Sequence, residues 1–95
     1  MRSRYRLTLE GADNAAAHGV SARELWQVLE SDRRLYVPIG DRSRFVVGEL
    51  EGGRWIGFLA QEADDQDDVW DIVAARELDD QETRQARRAR GDHDA

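Results

Sequence analysis

Two apolar runs separated by a pair of glycines constrain this chain most. RFVVGEL (Arg44 to Leu50) and WIGFLA (Trp55 to Ala60) flank Glu51-Gly52-Gly53-Arg54. A Gly-Gly pair takes the positive φ that a tight turn needs, so the two runs read as one antiparallel hairpin. VWDIVAA (Val69 to Ala75) supplies a third strand of the same meander. Leu35-Tyr36-Val37 precedes Pro38 and Gly40. Pro38 cannot donate to a ladder, so this piece reads as an edge strand or an extended link.

Around this meander the pattern changes period. Tyr5, Leu7 and Leu9 alternate with Arg4, Arg6 and Thr8, which predicts a first strand over Arg4 to Glu10, ended by Gly11. Asp13 stands where an N-cap would, ahead of Asn14-Ala15-Ala16-Ala17-His18, and Gly19 fits the position past the helix end. Ser21 and Glu24 have capping-box spacing and open a helix over Ala22 to about Ser31. Its inward stripe is Leu25, Val28 and Leu29, with Trp26 on the flank, and Asp32 with the two following arginines ends it. Asp79 or Asp80 caps a last helix running to about Arg90. Acidic residues crowd its start and Arg84, Arg87, Arg88 and Arg90 its end, matching the helix dipole. Asp80 and Arg84 have the i, i+4 spacing of a surface pair.

The expected fold is therefore α+β. It is a small single domain over residues 1–90, with a frayed tail at 91–95. An antiparallel sheet of three to four strands carries two N-terminal helices and a C-terminal helix, packed on one face. A chain of 95 residues has room for one modest core.

Composition narrows the function classes. There is no cysteine, which removes disulfides and Cys-ligated metals. No apolar run is long enough for a membrane span, and the basic start MRSRYRLTLE lacks the apolar core of a signal peptide, so a cytoplasmic protein is expected. Net charge is -6, where a general nucleic-acid binder is usually basic. EADDQDD (Glu62 to Asp68) holds five acidic residues and no basic one, and the rest of the chain is close to balanced. That run reads as a solvated loop and lacks the Gly and Glu register of an EF-hand. His18 and His93 are the only histidines, so neither a metal nor another cofactor is expected.

Three ordered stretches carry a family resemblance. HGVSARELWQVLE resembles the His-Gly-Val-Ser helix start of the BrnT family of bacterial toxins. FVVGELEGGRW resembles its strand–turn–strand. WDIVAARELDDQETRQAR resembles its closing signature, an apolar strand, Ser/Ala-Ala-Arg, then a helix with a Glu about six residues on. Together they run from about Asp13 to Arg90. The resemblance implies a RelE/ParE-like fold and a type II toxin, a ribonuclease held inactive by a small DNA-binding antitoxin. Its marked positions fall on His18, Arg54, Arg76 and Glu82. Trp70 stands where the family commonly has an arginine.

Metal-independent RNA cleavage needs a group to take the 2′-hydroxyl proton, cations for the phosphate and a donor for the leaving oxygen. His18, Arg76 and Glu82 are the candidate catalytic residues; Arg54, Arg76 and Arg84 are the candidate phosphate binders. Each has a plainer alternative. His18 sits where an imidazole caps helix carbonyls. Arg54 suits an exposed turn. Glu82 suits a helix start, and Arg76 an ion pair to Glu82, Glu77 or Asp80. Trp26, Trp55 and Trp70 read as core or edge-of-core residues, with base stacking the other use of one of them. A second function stays open: a non-catalytic interaction module that keeps the scaffold and binds a basic DNA-binding partner through its negative charge.

Overall fold

The computed structural model describes residues 4–31 and 33–91. Eight elements follow in the order β1 (Arg4–Leu7), α1 (Leu9–Ala17), α2 (Ala22–Glu30), β2 (Leu35–Pro38), β3 (Ser43–Glu49), β4 (Trp55–Glu62), β5 (Val69–Glu77) and α3 (Asp80–Arg90). The fold is α+β, a five-stranded mixed sheet with three helices.

The strands lie in the order β1-β5-β4-β3-β2. The hairpin forms as its glycines predict: Gly52 and Gly53 have φ of 89° and 91°, and Glu49 pairs with Trp55 across the turn. β2 is an edge strand, paired antiparallel to β3. β1 corrects the expectation of an antiparallel sheet of three to four strands. It lies parallel to β5 on the far edge, Arg4 opposite Val69 and Leu7 opposite Ile72. Two helices separate β1 from the meander, and a long crossover is what a parallel pairing requires.

The first strand is also shorter than its alternation suggests, and the first helix starts five residues earlier. Thr8, in extended conformation, is the N-cap, and its hydroxyl accepts from the Gly11 amide at 2.9 Å. Asp13 is an interior helix residue. Gly11 does not end a strand; it lets α1 lie directly on β5. A Cβ there would stand 1.9 Å from the Ile72 carbonyl oxygen. Leu9, expected to face inward, is 87% exposed at the helix start.

The expected capping box forms, and Asp79, one of the two expected caps of the last helix, makes a second one with Glu82. Ser21 and Glu24 exchange side chain–backbone bonds at the start of α2, and Asp79 and Glu82 do so at the start of α3. Gly91 ends α3 in the left-handed region; residues 92–95 of the expected tail, Asp32 and residues 1–3 lie outside the described residues.

The helices do not share one face. Ala15, Val20, Leu25 and Val28 pack on Val46, Ile56, Phe58, Ala60 and Ile72, so α1 and α2 cover one side of the sheet. Val47, Trp55 and Leu78 meet Ala86 of α3 on the other. Alternation along β3 and β4 explains this: Val46 and Ile56 look one way, Val47 and Trp55 the opposite way. α3 is short, so it leaves part of its face uncovered. Trp55 is buried and Trp70 packs against the larger core, whereas Trp26 is 40% exposed.

Candidate functional site

The uncovered part of the α3 face is a cleft of about 510 Å³. Its floor is Phe45, Leu59 and Ala74, one residue from each of the three central strands. Val37 and Ile39 form one rim, Asn14 and His18 the other, and Arg76 with Glu82 closes the end. The three candidate catalytic residues, 18, 76 and 82 in a chain of 95, thus line one concavity.

A β-bulge aims Arg76 into it. Ile72 belongs to the larger core under α1 and α2. Strict alternation from Ile72 would send Ala74 and Arg76 to that same side. Instead Ala60 pairs with Ile72 and its neighbour Leu59 pairs with Ala74, leaving Val73 as an extra residue. The phase shifts by one, Ala75 joins the larger core, and Ala74 and Arg76 reach the cleft.

Past Leu7 the outer edge of β5 has no strand beside it, and α1 takes over. The Asn14 side-chain oxygen accepts from the Ala75 amide at 3.1 Å. That bond satisfies an edge donor and holds the end of α1, with His18, against the cleft. His18 Nδ1 lies 2.8 Å from the Asn14 carbonyl oxygen. A carbonyl only accepts, so Nδ1 carries the proton, and in the neutral imidazole Nε2 is the unprotonated nitrogen. The capping role and a base role are therefore compatible. The ring's cap on the helix sets the tautomer that a base needs.

Arg76 donates from both terminal nitrogens to the two carboxylate oxygens of Glu82, each at 2.6 Å. Its guanidinium carbon also lies 5.5 Å from the Phe45 ring centroid. The ion pair that the sequence offers as the alternative to phosphate binding is formed, and it is formed inside the cleft. The Arg76 hydrogen bonds, with the Asp79 amide, hold the Glu82 carboxyl down at about 2. Glu82 is thus ionised at neutral pH, and its chemistry there is that of a counter-ion that orients Arg76.

The other two candidate phosphate binders lie elsewhere. Arg54 and Arg84 line a second cleft of about 430 Å³ between the hairpin turn and α3, with Arg87. Arg54 is fully engaged: it donates to Glu77 at 2.6 Å, to Glu24 at 2.5 Å and to the Gly19 carbonyl at 3.3 Å. It ties together the end of α1, the start of α2 and the end of β5. Arg84 makes no ion pair among the described residues, so the expected bond to Asp80 does not form.

The acidic run is at the opposite end of the sheet from Arg76. Asp65 and Asp71 share Arg6, at 2.9 and 2.6 Å, and Asp64 pairs with Arg42 at 2.8 Å. The seven residues between Asp68 and Arg76 form most of β5, which at a strand's rise is roughly 25 Å. Its charge therefore does not reach the cleft at short range.

Sequence reasoning missed Asn14, Phe45, Val37 and Ile39. Asn14 carries a signal, since an asparagine inside an alanine run disfavours the helix unless its side chain is used. Among the described residues no cluster of three or more His, Cys, Asp or Glu side chains is arranged to hold a metal ion, and no helix is long and apolar enough to cross a membrane. No protein-family model matches this chain, and no curated protein matches it.

Proposed function

We propose that this chain is a BrnT-like toxin, a metal-independent endoribonuclease of RelE/ParE-like type that a cognate antitoxin neutralises. One observation supports it most. An imidazole with its tautomer set by the Asn14 carbonyl and an arginine at the end of a strand line the same cleft. In this reading His18 Nε2 takes the 2′-hydroxyl proton as that oxygen attacks the phosphorus; the bond to the 5′-oxygen breaks, leaving a 2′,3′-cyclic phosphate, and the departing oxygen takes its proton from water. Arg76 holds the phosphate through two parallel hydrogen bonds and offsets the charge that builds on it. The phosphate then takes the place that Glu82 occupies.

The test is cleavage of a labelled single-stranded RNA by purified chain with a chelator present. Wild type cleaves. His18→Ala loses about 10²- to 10⁴-fold, the usual worth of a positioned acid–base group. Arg76→Ala loses activity while keeping its circular dichroism. Intact RNA with folded wild-type chain ends the catalytic reading.

A second reading rests on a different observation. Both Arg54 and Arg76 already have carboxylate partners, and the net charge is -6. A scaffold that retains the fold as an interaction module for a basic DNA-binding partner fits those facts. It gains if the chain is inert on RNA yet binds that partner with a strong salt dependence.

A further inference from the structure

The cleft is more apolar than a phosphate site requires. Val37 and Ile39 on its rim are 50% and 49% exposed, although both are large aliphatic residues. Phe45 makes the floor. Its ring lies across Gly57, so closely that a Cβ on Gly57 would stand 2.4 Å from two ring carbons. The Arg76 guanidinium sits above that ring at 5.5 Å from its centroid, short enough for one nucleotide to bridge both. A flat apolar surface beside a cation suits a ligand that joins a flat ring to a phosphate.

We propose that the Phe45, Val37 and Ile39 half of the cleft is a nucleobase pocket. It takes the base of the nucleotide whose phosphate Arg76 holds. This rests on the ribonuclease reading and adds the substrate class, which is single-stranded RNA with an unpaired base at the cleavage position. A base inside an A-form duplex is paired and stacked and cannot enter. The pocket tolerates different bases. Phe45, Val37 and Ile39 carry no polar side-chain atom to read a base edge, and Asn14, on the opposite rim, has its oxygen taken by the Ala75 amide. Stacking without edge recognition accepts any base.

The experiment is fluorescence anisotropy with a short 2′-O-methyl RNA, which binds but cannot be cleaved, as single strand and as duplex. Wild type binds the single strand at least tenfold more tightly than the duplex. Ile39→Ser changes an exposed rim residue and leaves the fold intact; Phe45→Leu keeps apolar volume and removes the ring. Phe45→Leu weakens single-strand binding about fivefold or more, the low end of what one stacked base is worth. Ile39→Ser weakens it in the same direction, and neither changes duplex binding. Equal binding of both RNA forms, or no effect of either substitution while Arg76→Ala weakens binding, overturns the pocket and leaves the phosphate reading standing. Wild-type binding that Arg76→Ala does not change overturns the ribonuclease reading itself, and no RNA binding by folded wild type overturns both.

Discussion

Arg76 and Glu82 meet through two parallel hydrogen bonds, and a phosphate that takes the guanidinium displaces that carboxylate. The pair has a pH signature. Glu82 takes up its proton near 4.5 in the unfolded chain and near 2 in the folded one. Between those values the unfolded state binds the proton first, so this contribution is complete above 4.5 and is lost as pH falls towards 2. Urea unfolding at a series of pH values should show that decline in wild type and a flatter acid limb in Glu82→Gln. Arg44 is a second telling residue. Its guanidinium lies 4.1 Å from the Trp70 ring, 4.9 Å from Tyr36 and 5.2 Å from Tyr5, and two of its nitrogens are buried with no hydrogen-bond partner. Burial pushes the Tyr5 hydroxyl up to about 12, so that ring stays neutral beside the cation. A lysine has no flat face to stack and holds its water more strongly. Arg44→Lys should cost about 1–2 kcal/mol by denaturant unfolding. The alternation of β3 puts Arg44 in phase with buried Val46, so an inward arginine was legible there. The three rings around it were not, because they come from three other strands.

At the level of elements, the Ser21–Glu24 capping box, a cap at Asp79 or Asp80 and the Gly-Gly hairpin were legible, because each depends on residues within a few positions of one another. Asp79→Ala removes one half of the second box, and thermal unfolding should register a loss of about 1 kcal/mol. What could not be read locally was contact between distant segments. Gly11 looked like a strand terminator, yet it is where α1 touches the Ile72 carbonyl 61 positions on. In an ordinary helix, alanine for glycine gains about 1 kcal/mol. Here the added methyl meets backbone that cannot rotate away, so Gly11→Ala should destabilise by about 1–3 kcal/mol. A gain in stability would mean that α1 stands off the sheet. The parallel seat of β1 was hidden for the same reason. Alternation tells which residues face inward but not which edge of the sheet a strand joins.

Over the whole molecule, charge is sorted by position more than by amount. Arginines of β1 and the β2–β3 connection partly neutralise the acidic loop at one end, and Arg84, Arg87 and Arg88 project from α3 without ion pairs among the described residues. If the cleft engages RNA mainly through Arg76, the affinity for single-stranded RNA should fall with salt at a slope of about -0.7 on a double-logarithmic plot, one phosphate's worth. A much steeper slope would bring the α3 arginines into the interface. His18, Arg76 and Glu82 were legible as candidates through their motifs, and their meeting in one cleft depends on Val73 standing out of the ladder, a bulge that no motif marks. That unpaired residue gives β5 a one-sided tolerance for changes in length. Deleting it would restore plain alternation and leave Arg76 on the same side, whereas inserting a residue beside it would give the strand two surplus positions to absorb. A lineage carrying this strand can shorten it and keep its arginine in place, but cannot lengthen it by one so cheaply.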